Sequence, residues 1–463
     1  MRGRVHLAIN QKHQITHDGP DCADLSGRQA LSVPLKGRST DANPDILPTQ
    51  ITHPKKQLWK MSRIACTIGS SHEPNKSFIR LTAQAYPMSE HLWIWQQPDW
   101  PFFSWDEERI APLLRACAKA QGQLLGMSSA VAGDTGIQEV LDTLLQNIIT
   151  SSAIEGEQLN VGSVRSSLAR RLGIADKGKL SPRSEGLAEL MLDATRGHAQ
   201  ALDLQRLYDW HRWLFPAEDN SVSGRILVGQ LRGDYPMQVV SGRLDRPTVH
   251  FEAPPRTVLS RQLDDFIDWF ATSQNDQRLD PFIRAGIAHF WFVTLHPFDD
   301  GNGRLTRALT DLALAQGDQH AIRLFAMSAS ILDDRTGYYR VLEASQKSTT
   351  DITQWLEWFL RTLLSSIEHA LARIERVLAK TRFWQLHTRD GLSAEQVKVL
   401  NRLLDGGERG FEEGLSAAQY QAVAEVSKAT ATRHLSALLA NNCLVRLPGG
   451  GRSTRYQINW SAL

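Results

Sequence analysis

The chain has 463 residues, 42% of them hydrophobic, and a formal net charge of +2. This length allows two or three domains with sizeable cores, and the composition argues against a wholly disordered chain. The longest apolar run, residues 285–295, is far shorter than the roughly 20 residues that a membrane span requires, and no N-terminal segment has the pattern of a secretory signal, so we expect no membrane segment and a cytoplasmic protein.

The excess of positive charge lies in the N-terminal segment. Residues 1–87 contain 12 Lys and Arg and 6 Asp and Glu, whereas the rest of the chain contains 40 basic and 44 acidic residues. The body of the chain therefore has no charge signature of nucleic-acid binding. Residues 1–87 lack sustained periodicity and a well-patterned sequence begins at Met88, so we expect a disordered extension or a mis-called start in this segment.

The four cysteines show no spacing typical of a structural bridge or a metal site. Cys22, Cys66, Cys117 and Cys443 form neither pairs nor a C-x-x-C motif. We therefore expect reduced thiols.

From Trp105 onward, apolar residues recur at three- and four-residue intervals, which predicts a succession of amphipathic helices. These helices are expected in residues 108–127, 137–159, 184–202, 204–216, 260–273, 305–316 and 352–380. Residues 237–255 differ, because two β-rich stretches flank the turn-prone SGRLDRP as in a hairpin. The predicted fold is an all-α domain with one short β-hairpin.

Residues 281–310 are predicted to form a helix, a tight loop and a second helix. The loop sequence Asp300-Gly301-Asn302-Gly303 is poor inside a helix but good as a cap and turn. Converging backbone N–H groups and the helix dipole would make an anion site at the start of the second helix. Arg304 and Arg307 share one face of that helix, and guanidinium groups suit phosphate oxygens.

His296 and Asp300 add reactive groups to this anion site. An imidazole can accept a proton near neutral pH, and a carboxylate beside phosphates is well placed to hold Mg²⁺. An isolated histidine at a helix end would more simply be a satisfied structural group. The clustering with Asp300, Gly301, Asn302, Arg304 and Arg307 favours the functional interpretation.

The segment HPFDDGNGRLTR, residues 296–307, matches the Fic family motif H-P-F-x-D/E-G-N-G-R-x-x-R without departure. The resemblance implies AMPylation, the transfer of AMP from ATP to a Ser, Thr or Tyr hydroxyl of a target protein with release of pyrophosphate. It implies that His296 is the base and that Asp300 binds Mg²⁺. Gly301, Asn302 and Gly303 would form the phosphate-binding turn, and Arg304 and Arg307 would hold the β- and γ-phosphates. Asp299 falls at the variable position and is given no role.

Other segments also resemble the family. WIWQQPDWPFFSWD looks like a domain of unknown function that precedes some bacterial Fic domains, and the hairpin from Met237 to Phe251 looks like the flap that aligns an extended target segment, although an ordinary surface hairpin has the same pattern. GYYRVLEASQ looks like a family helix at the nucleotide pocket, which makes Tyr338, Tyr339 and Gln346 candidate ATP contacts. Buried packing is the alternative for both tyrosines.

The sequence SSAIEG, residues 151–156, resembles the inhibitory pattern of the family: Ser or Thr, three residues, Glu, then Gly or Asn. The resemblance implies that Glu155 pairs with Arg307 where the γ-phosphate should lie, with Ser151 at the start of the pattern. The alternative is a solvated carboxylate at a helix end that Gly156 terminates.

Residues 393–463 have the element order of a winged helix-turn-helix domain. Residues 427–460 contain five basic residues and no acidic one: Lys428, Arg433, Arg446, Arg452 and Arg455. This local charge suits contact with DNA phosphates, and a docking or dimerisation domain is the alternative.

The predicted organisation is an extension at 1–87, a Fic-associated helical domain with the inhibitory helix at 88–170, a Fic core at 171–380 and the winged helix at 393–463. Three alternatives to autoinhibited AMPylation remain at this point. They are transfer of the γ-phosphate, an ATP-sensing DNA-binding regulator, and removal of AMP from a modified target. The sequence does not fix the oligomeric state.

Overall fold

The computed structural model describes residues 2–4, 92–128, 134–217, 226–243, 246–318, 324–387, 391–406, 411, 413–449 and 454–460. The helices are α1 Glu107–Ser128, α2 Asp134–Ile154, α3 Val161–Arg171, α4 Pro182–Arg196, α5 Leu204–Leu214, α6 Arg256–Ser273, α7 Pro281–Leu295, α8 Asn302–Asp318, α9 Met327–Asp333, α10 Arg335–Gln346, α11 Thr353–Leu386, α12 Ala394–Leu404, α13 Ala417–Ala424 and α14 Lys428–Ala440. A short 3₁₀ helix covers Ile94–Gln96. The strands form three antiparallel pairs: β1 Arg2–Arg4 with β2 Ser104–Asp106, β3 Gln238–Arg243 with β4 Arg246–Glu252, and β5 Leu444–Arg446 with β6 Tyr456–Ile458.

The expected all-α fold with a short hairpin is confirmed. Helix starts follow the local sequence, because side chains of Asp or Ser accept hydrogen bonds from the first free backbone N–H groups of several helices. Asp203 caps α5, Asp280 caps α7 and Ser181 caps α4 in this way. The β3–β4 register pairs Gln238 with Glu252, and an irregularity lies between Val239 and Val240.

The helix that leads into the motif is buried on every side. All residues of α7 from Phe282 to Leu295 are buried, as an apolar sequence without a polar face requires. The helix packs against α8, α6 and α11, and the Trp355 indole N–H donates to the Gly286 carbonyl at 2.8 Å. The end of α7 is therefore fixed in the interior of the protein.

The helix α11 joins the region around α7 to the C-terminal elements. Its 34 residues make it about 51 Å long at 1.5 Å per residue. Trp355 near its start is buried against α7, whereas Phe383 near its end belongs to a separate core with Val399, Tyr420 and other residues. The C-terminal order is three helices and a β-hairpin, as expected, and its assignment as a winged helix stays a prediction.

Two predictions from the sequence concern residues that lie largely outside the described part of the chain. Arg2–Arg4 pairs with Ser104–Asp106, but residues 5–91 are not described, so the disordered extension or mis-called start at 1–87 stays a prediction. Cys22 and Cys66 also lie outside the described residues, whereas Cys117 and Cys443 are buried free thiols. Among the described helices, none has the length and apolarity needed to span a membrane.

Candidate active site

The loop between α7 and α8 is held in a tight conformation by its own sequence. His296, directly after α7, adopts the left-handed conformation with φ 49°, and Asn302 begins α8. The Asn302 side chain accepts from the Phe298 backbone N–H at 2.9 Å and donates to the Phe298 carbonyl at 2.7 Å. The amide side chain of Asn302 therefore braces the loop.

The surroundings of His296 fix which of its ring nitrogens carries the proton. Its side chain is buried, and Nδ1 lies 2.9 Å from the Val293 carbonyl oxygen. A carbonyl only accepts, so Nδ1 carries the proton and Nε2 has the free lone pair. Burial lowers the pKa of His296 below its usual 6.5, which keeps the imidazole neutral.

Asp300 lies at the N-terminus of α8 with its carboxylate 43% exposed. One carboxylate oxygen accepts from the Gly301 backbone N–H at 2.7 Å and lies 3.7 Å from Arg304 Nη2. Gly301 has φ 80°, and a β-carbon there would lie 2.5 Å from a Leu214 methyl carbon, so a glycine is required. The Asp300 backbone carbonyl is held by Nε2 of the buried His211 at 3.1 Å.

The donor set at Asp300 suits a cation that arrives with a nucleotide. The described residues include no group of three or more His, Cys, Asp or Glu that could hold a metal by themselves. Mg²⁺ commonly uses one or two carboxylates together with phosphate oxygens and water. Asp300, exposed beside the turn at Gly301–Gly303, fits this arrangement.

Arg307 is buried and is held by the end of α2. Its Nε donates to the Ser151 hydroxyl at 2.8 Å, and Nη2 donates to the Ser151 carbonyl and to Glu155 Oε1, both at 2.9 Å. Burial alone would lower the pKa of Arg307, but Glu155 together with Tyr338 and Tyr339 outweighs burial, and the net shift is upward. The two segments that the sequence analysis linked, SSAIEG and the motif helix, are thus in direct contact.

Arg304 is paired with a carboxylate that the sequence analysis did not single out. Arg304 Nη1 donates to Glu157 Oε2 at 2.6 Å. The other oxygen of Glu157 accepts from Arg183 Nε and Nη2 at 3.0 and 2.6 Å, and both guanidinium groups lie over the Phe215 ring. The sequence EGE at 155–157 could have given this signal, since it places a second carboxylate two positions after Glu155.

Several buried polar atoms around the two arginines lack a hydrogen-bond partner among the described residues. They are Arg307 Nη1, Arg304 Nε and Glu155 Oε2. Two unpartnered guanidinium N–H groups on one helix suit an anionic ligand, because buried donors are normally satisfied. The surroundings of Arg304 and Arg307 at the start of α8 therefore suit phosphate oxygens better than a neutral ligand.

The β3–β4 hairpin is anchored beside this pocket. His250 on β4 lies 2.9 Å from a Glu343 carboxylate oxygen on α10 and 2.6 Å from the Ser241 hydroxyl on β3. The Trp95 indole N–H donates to the Glu252 carbonyl at 2.7 Å. No described strand other than its partner pairs with β3 or β4, so the hairpin keeps outer backbone edges that an extended peptide could join.

The three candidate ATP contacts on α10 have different environments. Tyr338 is buried and its hydroxyl lies 2.9 Å from Nε2 of His289, which is itself buried. Gln346 is also buried and donates to the Thr294 hydroxyl at 3.2 Å. These contacts favour packing roles for Tyr338 and Gln346, whereas the half-buried Tyr339 stays a candidate.

Two segments of the chain, one of which includes this loop, match known sequence profiles. Residues 201–314 match the sequence profile described as the Fic/DOC family, and residues 93–174 match a profile described as a domain of unknown function, DUF4172. The chain carries a Fic domain. The first match includes the entire motif from His296 to Arg307, and the second includes Ser151, Glu155 and Glu157.

Curated relatives of the Fic domain are modestly similar to this chain. Protein adenylyltransferase fic-1 of Caenorhabditis elegans is 28% identical over 178 residues, which is 37% of this chain and 32% of the relative. Protein adenylyltransferase Fic of Nematostella vectensis is 25% identical over 234 residues, half of each protein. The chain thus spans between a third and a half of the length of these two relatives.

Solved structures of Fic proteins also align with this chain. A Fic family protein from Desulfovibrio desulfuricans G20 aligns with 20% identity and a TM-score of 0.44, over 76% of this chain and 95% of that one. Residues 134–508 of Fic-1 from Caenorhabditis elegans align with 21% identity and a TM-score of 0.41, over 57% of this chain and 73% of that one.

Proposed function

We propose that this protein is an adenylyltransferase that transfers AMP from ATP to a hydroxyl side chain of a target protein, and that Glu155 holds it in an inhibited state. The observation that carries the proposal is the environment of His296. Its Nδ1–H donates to the Val293 carbonyl, which leaves Nε2 as the basic nitrogen. His296 lies in the loop that leads to the N-terminus of α8, where an anion would bind. The names of the curated relatives support the same activity.

In the proposed reaction, the hydroxyl of the target gives its proton to Nε2 of His296. The hydroxyl oxygen then forms a bond to the α-phosphorus of ATP, and the bond from that phosphorus to the bridging oxygen breaks, so that pyrophosphate leaves. Arg304, Arg307 and the backbone of the Gly301–Gly303 turn would bind the leaving phosphates. Mg²⁺ at Asp300 would neutralise phosphate charge and orient the nucleotide.

The flap would position the target. An extended segment that joins an outer edge of β3 or β4 gains backbone hydrogen bonds without a demand on its side chains. Its hydroxyl would then lie at a fixed height above the loop that carries His296. This predicts a protein substrate presented as an extended segment.

Inhibition is proposed to result from competition for Arg307. The Glu155 carboxylate is 2.9 Å from Arg307 Nη2, and the Ser151 hydroxyl and carbonyl hold the same guanidinium. A γ-phosphate seeking Arg307 must displace a buried ion pair, so ATP would bind with its α-phosphate misaligned or would not bind. Removing Glu155 would release the site.

The decisive experiment is intact mass spectrometry of proteins labelled in native lysate with ATP, with the Glu155→Gly chain as the enzyme. AMP transfer adds the mass of AMP to the target, and the His296→Ala variant of the same chain should add nothing. A mass increase equal to one phosphate group instead of AMP would establish γ-phosphate transfer and refute the proposal. Loss of AMP from a pre-modified target would point to the alternative activity, removal of AMP.

A second candidate function is DNA binding through residues 427–460. The helix α14 exposes Lys428 and Arg433, and the following hairpin exposes Arg446. Exposed basic side chains are what contact with DNA phosphates would require. Arg452 lies outside the described residues. A gel shift with full-length protein should show binding that weakens steeply with salt and with Lys428→Ala plus Arg433→Ala. Absence of salt-dependent binding would favour a docking role.

A further inference from the structure

Arg232 is a buried cation that lies between the catalytic loop and the base of the flap. It is 2% exposed. Its Nε donates to the His296 carbonyl at 2.8 Å, and its Nη2 donates to the carbonyl of Pro254, which follows β4. Its own backbone N–H donates to the Pro297 carbonyl at 3.0 Å. One residue thus holds two consecutive carbonyls of the loop and one carbonyl of the flap base.

The His296 carbonyl needs such a partner because of its backbone conformation. A non-glycine residue in the left-handed region is destabilised by roughly 1 kcal/mol and persists only where its surroundings hold it. Here the backbone N–H of His296 still completes the helix by donating to Phe292 at 3.2 Å, but its carbonyl turns out of the helix towards Arg232. The backbone conformation of His296 is therefore held in part by a hydrogen bond from a residue 64 positions away.

The guanidinium of Arg232 is unusually poorly compensated. Within the described residues, its Nη1 is buried without a hydrogen-bond partner, and its hydrogen bonds go to neutral carbonyls. Burial lowers the pKa of Arg232 to about 10. A buried cation that bonds only to neutral carbonyls costs stability. The hydrogen bonds of Arg232 connect the His296 carbonyl with the Pro254 carbonyl at the base of the flap.

We propose that Arg232 is a positioning residue for the general base: it fixes the backbone of His296, and hence Nε2, and couples that position to the base of the flap. The proposal rests on the function proposed above for His296. Arg232 would not contact ATP or the target. Its effect would be on the alignment of the base with the attacking hydroxyl, for which a displacement of about 1 Å can reduce the rate on the order of 100-fold.

The test compares Arg232→Met with Arg284→Met, both in the Glu155→Gly chain. Arg284 is a matched control because it is also buried, has a pKa lowered to about 10 by burial, and donates to a backbone carbonyl, yet it lies at the opposite end of α7. Arg232→Met should lower kcat on the order of 100-fold with little change in KM for ATP. Arg284→Met should leave kcat near that of its parent.

A conservative variant and a spectroscopic readout complete the test. Arg232→Lys keeps the charge and can reach one carbonyl, so its kcat should lie between the other two. Nitrogen-15 spectra of the imidazoles, with His296→Gln to assign the signal, should show His296 protonated on Nδ1 in Arg284→Met and a mixture of tautomers in Arg232→Met. If Arg232→Met does not fold, Arg232→Lys decides by the same two measurements.

The outcomes separate the two proposals. Unchanged kcat and an unchanged His296 tautomer in the Arg232 variants would overturn the positioning role, as would an equal loss of kcat in Arg284→Met. A parent Glu155→Gly chain that transfers no AMP would overturn the proposed function. The tautomer measurement would still report whether Arg232 holds His296.

Discussion

The carboxylate of Glu155 lies in the space that a β-carbon at position 303 would occupy. A side chain on Gly303 would collide with Glu155 Oε1, the oxygen that pairs with Arg307 at 2.9 Å. The glycine of the motif is therefore needed for the contact between α2 and α8 as well as for a turn that could accept phosphates. In the proposed inhibited state the oxygen beside Gly303 is that of Glu155, and in the proposed active state it would be a phosphate oxygen of ATP.

Replacing Glu155 should activate the enzyme. A charge-assisted hydrogen bond of this kind contributes roughly 1.5–3 kcal/mol, so Glu155→Gly should raise AMP incorporation about 10- to 100-fold. Incorporation of radiolabelled AMP measures the effect. The control is Ala153→Gly, which introduces the same helix-weakening residue at a position not paired with Arg307. AMP incorporation by this variant should stay at the level of the parent protein.

The gain should also depend on the released arginine. In the Glu155→Gly chain, Arg307→Ala should return incorporation to the level of the parent protein, because the freed guanidinium is the group that would orient ATP. Full activity in the double variant would contradict the proposed role of Arg307. If Glu155→Gly itself leaves activity unchanged, the inhibitory role of Glu155 is refuted and the alternative, a carboxylate at a helix end, applies.

Removing the imidazole should separate chemistry from binding. His296→Ala in the Glu155→Gly chain should reduce AMP transfer by roughly 10²- to 10⁴-fold, the usual contribution of a general base. ATP affinity, measured by calorimetry, should be largely retained, since the proposed phosphate contacts come from other residues. Transfer at the parental rate would refute the assignment of His296.

The rate of AMP transfer should persist at mildly acidic pH. The base acts in its neutral form, and burial lowers the pKa of His296 below 6.5. Activity should therefore be maintained as the pH falls past 6.5 and decline only as it passes through the lowered pKa. An activity midpoint above pH 6.5 would mean that His296 is charged more readily than its buried position allows.

The two adjacent aspartates of the loop should differ in their effect on magnesium. Asp300→Ala should weaken Mg²⁺-dependent binding of ATP and slow transfer. Asp299→Ala is the matched control, because the Asp299 carboxylate accepts from the Leu227 backbone N–H and is given no metal. If the affinity of the parent chain for ATP does not depend on Mg²⁺, Asp300 is not a ligand of Mg²⁺.

Two buried neutral histidines should make the fold sensitive to acid. Burial lowers the pKa of His211 to about 4 and that of His289 to about 3, whereas both would titrate near 6.5 when unfolded. The unfolded chain then binds more protons below pH 6.5, so stability should fall as the pH decreases from 6.5 towards 4, by about 1.4 kcal/mol per pH unit for each histidine. Denaturant unfolding followed by circular dichroism measures the slope, and the exposed His369 replaced by Gln provides the control.

The sequence predicted those parts of the site that lie close together along the chain. The motif at residues 296–307 identifies the loop and its chemistry, and the apolar run before it identifies the buried α7. The hairpin at residues 237–255 was predicted from two β-rich stretches that flank a turn-prone segment. Glu155 was found because a second short pattern resembles the family.

The remaining parts depend on contacts across long stretches of sequence. Arg232 is 64 positions from the carbonyl that it holds, and Glu157 is 147 positions from Arg304. Neither residue stands in a pattern with its partner, so periodicity and spacing carry no information about the contact. Tyr338 shows the converse case. Its position on α10 suggested a contact with a ligand, but its hydroxyl is hydrogen-bonded to the buried His289.

The single helix α11 carries Trp355 in the core beside α7 and Phe383 in the core of the C-terminal elements. A protein cut at residue 393 would keep Phe383 and lose Val399, Tyr420 and the other side chains that cover it. Such a truncated protein would present a freshly uncovered aromatic surface, and its aggregation or altered target choice would report that surface rather than the loss of a DNA or docking function. Genetic dissection of this chain therefore requires substitutions on exposed faces, such as Lys428 and Arg433, in place of shortened forms.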